Sequence, residues 1–87
     1  MEKAELEIAL ATELTKLFTL RQNHADARGE LLAEYARYAE HDHGSDRQEA
    51  LRDSQQADLR DAERSAESAL ASQEKLVTEF TSRYSSF

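Results

Sequence analysis

The sequence predicts an all-α protein folded as an antiparallel helical hairpin, and three observations carry that prediction. The first is missing punctuation. In 87 residues there is no proline and there are only two glycines, so β-turns have little to be built from. The second is spacing: leucine, alanine and aromatic residues recur three and four apart along most of the chain, which is the period of one helix face. The third is a single concentrated break, "HDHGSD" at residues 41–46, that divides the chain almost in half. One domain, residues 1–87, is expected, because this length is near the lower limit for a self-sufficient core.

The first arm is expected to run as a helix over residues 2–41. Leu10, Leu14, Leu17, Leu31, Tyr35 and Tyr38 sit on one 4,3 repeat, with Arg21, His24 and Arg28 on the same repeat in the middle. Beside them runs an uninterrupted seven-residue series, Ala4, Ala11, Phe18, Ala25, Leu32 and Ala39. Asn23, Asp26 and Gly29 are mediocre in a helix interior, so a three-helix arrangement with a break near residues 22–30 is the structural alternative.

The turn is expected at residues 42–45. Gly44 suits the left-handed conformation that closes a helix. Ser45 then serves as N-cap of the next helix, with Gln48 completing a capping box. His41 and His43 flank Asp42 and invite a metal reading, a mixed nitrogen and oxygen site for zinc or nickel with Asp42 and Asp46. Two residues apart on a helix, however, they point about 200° away from each other. His24 is about 25 Å further along the first arm. The stretch reads as a bend, and no cofactor is expected.

The second arm is expected over residues 46–84. Its repeat runs Leu59, Ala62, Ala66, Ala69, Gln73, Leu76 and Phe80, with Leu70, Val77 and Tyr84 alongside. The alanines would let two helices approach closely, as in a coiled-coil hairpin. Folding at residue 44 sets Arg21, His24 and Arg28 against the stretch from Asp58 to Glu67, where opposite charges would fix register.

Apolar residues outnumber what one hairpin can hide. Leu6, Leu10, Leu14, Leu17, Phe18 and Leu20, with Ala4, Ile8 and Ala11, spread over about 240° of the first arm. One neighbouring helix cannot cover that arc, and contiguous exposed Leu and Phe mark interaction surfaces. These six large side chains are therefore the candidate partner-binding residues. A homodimer completing a four-helix bundle is the simplest expectation, with a hetero-complex beside it.

Composition narrows the functional classes. With 18 acidic and 11 basic residues the net charge is −7, which argues against direct binding of nucleic acid or anionic lipid. Cysteine is absent, so disulfides and thiolate sites are excluded. The charged start, "MEKAE", reads as no signal peptide, and a cytoplasmic location is expected. No glycine-rich phosphate loop, nucleophile elbow or His-Glu-x-x-His pair occurs in the sequence, so neither catalysis nor a small-molecule substrate is expected. The expected function is that of a non-catalytic helical interaction protein, an adaptor, assembly subunit or chaperone-like factor. The alternative is an acidic inhibitor that occupies a basic nucleic-acid-binding groove, although its charges are interspersed with Lys and Arg.

Overall fold

A computed structural model of the chain describes residues 2–40 and 46–87. Two helices account for nearly all of it: α1, Lys3–Glu40, and α2, Asp46–Ser85. They pack along their lengths into a rod of 64 × 16 × 14 Å, as the 1.5 Å rise of an α-helix requires for about forty residues. The pairs that cross between them set the direction. Lys3 lies over the Tyr84 ring, the Gln73 amide reaches Glu13, and His24 meets Glu63. The beginning of α1 therefore lies beside the end of α2, and the hairpin is antiparallel. The bend carrying Gly44, Ser45, His41 and His43 lies outside the described residues.

The expected break at residues 22–30 does not form. α1 is continuous through Asn23, Asp26 and Gly29, and no glycine there has a positive φ. Each mediocre residue costs roughly 0.5–1 kcal/mol in a helix. Breaking the arm would forfeit cover on Leu20, His24, Ala27 and Leu31, all half-buried on the same side. Local cost loses to continuous packing. The three-helix alternative is thus excluded in favour of the two-helix form.

The seam between the helices is a heptad repeat, but rotated from the expected one. On α1 the covered positions are Leu6, Leu10, Glu13, Leu17, Leu20, His24, Ala27, Leu31, Glu34 and Tyr38. Every second one of these was expected. Leu14 of the expected column is half-buried like most of these, whereas Tyr35, Arg21 and Arg28 are exposed. On α2, Glu63, Leu70 and Val77 join Leu59, Ala66, Gln73, Leu76 and Phe80, while Ala62 and Ala69 face solvent. The reason lies in charge. The observed column keeps Arg21 and Arg28 in water and admits Glu13 and Glu34, which find donors in Gln73 and Arg37. Leu6 and Leu17 form the driest part of the seam, at 1% and 5% exposure.

Candidate functional site

The six expected partner-binding residues separate into two groups. Leu6 and Leu17 are consumed by the hairpin, and Leu10, Leu14 and Leu20 are half-buried along it. This corrects the reading of all six as surplus: α2 already covers most of them. Phe18 alone is free, at 60% exposure. Its companions are ones that leucine counting passes over, Ile8 at 70% and Leu32 at 54%.

These three belong to a second 4,3 repeat on α1. It runs Ala4, Ile8, Ala11, Thr15, Phe18, Gln22, Ala25, Gly29, Leu32, Ala36 and Ala39. Every one of these residues is exposed, and not one is charged, in a chain that is 33% charged. At the coiled-coil period this repeat lies about 150° around the helix from the seam. α1 thus has two apolar faces, one spent on α2 and one open. The series from Ala4 to Ala39 contained half of this stripe, and Ile8 four residues after Ala4 was the signal for the rest.

Small residues dominate the stripe, and Gly29 has open space where a Cβ would stand. A second helix could therefore approach closely, with Ile8, Phe18 and Leu32 as knobs. The columns flanking the stripe carry the charge. Glu7, Arg21 and Arg28 lie along one side, Glu5 and Asp26 along the other. Arg21 stacks on the Phe18 ring at 5.8 Å, which shields part of that ring while leaving its edge free. Gln22, inside the stripe, donates to Asp26 at 2.8 Å. The outer face of α2 has no equivalent: Ser54, Asp61, Ser65, Ser68, Ser72 and Lys75 occupy it.

Polar groups inside the seam set the register. His24 Nε2 and Glu63 Oε1 are 2.8 Å apart and half-buried, a pairing that falls within the stretch expected to face His24. The Gln73 amide donates to both the backbone carbonyl and the carboxylate of Glu13. The bond to the carboxylate, with Lys16 nearby, holds the Glu13 carboxyl below its ordinary range. Tyr84 donates to Glu7 at 2.8 Å, and stabilisation of the phenol by that carboxylate pushes the Tyr84 hydroxyl up. Among the described residues the one group with metal-ligand geometry is His24, Glu63 and Glu67. His41 and His43, the candidates from the sequence, lie outside the described residues.

No helix among the described residues is long and apolar enough to cross a membrane. Comparison with known proteins leaves the chain on its own: no family model, no curated protein and no solved structure matches it.

Proposed function

We propose that this chain is a non-catalytic helical interaction protein, an assembly subunit whose outer α1 stripe pairs with the same stripe of a second copy. The observation that carries this reading is the run of exposed positions without a single charge, from Ala4 to Ala39. Charge is compatible with a second copy as the occupant, and side-chain stacking favours the parallel direction. With two α1 helices parallel and in register, the residues flanking the stripe on one copy meet those five positions on in the other. Arg21 then faces Asp26 of the second copy, and no like charges are opposed. Antiparallel pairing sets each flank against itself, which opposes Arg21 to Arg21 or Glu5 to Asp26 in some registers and Glu7 to Arg21 in another, without the like-on-like stacking of the large side chains. Parallel pairing also stacks Ile8, Phe18 and Leu32 on their own counterparts, with Gln22 on Gln22 as the polar layer that fixes register.

Magnitudes place the affinity. Burying the remaining surface of three large apolar side chains on each copy yields roughly 1–2 kcal/mol apiece. Association opposes this with about 4 kcal/mol or more of lost freedom, so the surplus is about 8 kcal/mol at most and the Kd about a micromolar at its tightest. The acidic-decoy reading has less support, since Lys16, Arg37 and Arg83 are already paired with neighbouring glutamates, which breaks up a single-sign surface.

Because the chain has no cysteine, a disulfide trap tests the pairing cleanly. Under mild oxidation Ala25→Cys should form a symmetric covalent dimer at micromolar concentration, whereas Ser68→Cys, on the outer face of α2, should not. Equal rates for the two variants, or no trapping of Ala25→Cys, would overturn the proposal.

A further inference from the structure

We infer that His24, Glu63 and Glu67 form a binding site for one divalent transition-metal ion, zinc being the reference case, that clamps α1 to α2 at the middle of the rod. The three side chains offer one imidazole nitrogen and two carboxylate oxygens, all within 4.8 Å of one another. Their placement follows from helix geometry. Glu63 and Glu67 are four apart and so share one face of α2, and the seam brings His24 across to them from α1. Imidazole with carboxylates is a donor set that zinc accepts in tetrahedral sites, leaving the fourth position to water.

Distances suit the ion. Zinc bonds of about 2.0–2.2 Å put neighbouring ligand atoms roughly 3.4 Å apart in a tetrahedron. The His24–Glu63 pair, at 2.8 Å, has only to open slightly, and Glu67 to close in by a rotamer change. A histidine–glutamate pair by itself would account for two of the three residues. Glu67 is the third, and it makes no hydrogen bond or ion pair among the described residues. It adds a second negative charge one turn from Glu63, and a cation between them turns that repulsion into ligation. Because the ligands come from both helices, metal binding adds directly to hairpin stability. The site lies in the seam, on the opposite side of α1 from the outer stripe, so it stands or falls independently of pairing between copies.

Thermal unfolding with zinc chloride at pH 7.4, with calorimetry for stoichiometry, tests the inference. At a hundredfold excess over Kd, one bound ion per chain should raise the melting temperature by about 10 °C or more. Glu67→Gln changes an exposed residue and leaves the fold intact, and it should weaken binding at least tenfold. His24→Ala should abolish it. The double variant His41→Ala, His43→Ala should bind as the parent chain does. No shift up to 1 mM zinc, a shift that survives Glu67→Gln, or one lost only with His41 and His43 would each overturn the site and leave His24–Glu63 as a register pair alone.

Discussion

Gln56 is the place where the seam works against its own stability. It is one of three buried residues among those described, at 9% exposure, and its side-chain amide nitrogen has no hydrogen-bond partner. The register set by His24–Glu63 and Glu13–Gln73 puts it at the level of Leu31 on α1. Replacing it by leucine changes two terms in the same direction. An unpaired buried donor, worth about 1–3 kcal/mol, disappears. A leucine also enters a position already nine-tenths covered, adding roughly 1.5 kcal/mol or more of apolar burial. Set against these, the altered seam shape costs up to about 1 kcal/mol. The net gain is therefore about 2 kcal/mol, or some 10 °C in a domain of this size. Circular dichroism melting at matched protein concentration reads it, with Gln55→Leu as control, since Gln55 is exposed and has the same intrinsic helix propensity. Gln55→Leu should move the melt by no more than about 0.5 kcal/mol equivalent. A Gln56→Leu melt at or below the parent value, or a Gln55→Leu gain of equal size, would refute the reasoning.

Other substitutions discriminate the two faces of α1. Leu17→Ala removes a side chain that is 5% exposed and should destabilise the hairpin by about 2–5 kcal/mol, enough to unfold much of it at 37 °C by the same melting assay. Ile8→Ala, at a position 70% exposed, should leave unfolding of the isolated hairpin nearly unchanged. The carboxyl of Glu13 sits below its ordinary pKa, first through the Gln73 hydrogen bond and then through Lys16. A depressed folded-state pKa contributes stability that is present above the unfolded pKa and lost as pH falls through the folded one. Acid should therefore weaken this contact as pH falls below the ordinary carboxylate range, and Gln73→Leu should raise the Glu13 titration midpoint seen by carboxyl NMR; an unchanged midpoint would contradict the assigned cause. Tyr84 has the opposite sign. Its folded pKa is raised by the hydrogen bond to Glu7, so its contribution holds below pH 10 and fades as pH rises through the folded value. Glu7→Gln should lower the ionisation midpoint of one of the three tyrosines in an ultraviolet titration.

Fold class was legible because composition left no rival: without proline, and with glycine at only two positions, long helices were the one regular structure available. The choice of seam column was less so. Leu14 and Tyr35 mark one column and Leu20 another, and hydrophobicity ranks them about equally. Arg21 and Arg28 decide between them, since burying both charges carries a desolvation cost that acids across the seam need not repay, and periodicity does not register it. The same rotation explains the site. Once the seam turns, Leu6 joins Leu17 in the core, and the open apolar stripe is that of Ile8, Phe18 and Leu32. Exposed apolar side chains do lie on α1, at Ile8, Phe18 and Leu32, while the expected leucines are largely covered because the best hydrophobes go first to the nearest helix. The grouping of His24 with Glu63 and Glu67 required the register itself, which no spacing within either arm contains.

The central claim, that the charge-free face of α1 is an interface between copies, is tested most directly by sedimentation equilibrium of the parent chain and of Phe18→Glu at 0.15 and 0.5 M salt. The parent should rise with concentration from 9.9 kDa toward twice that mass in the micromolar range, hardly altered by salt because apolar burial is little screened. Phe18→Glu should stay at the mass of one chain while remaining helical. A parent chain that remains monomeric to several hundred micromolar, or a dimer indifferent to Phe18→Glu, would contradict the account.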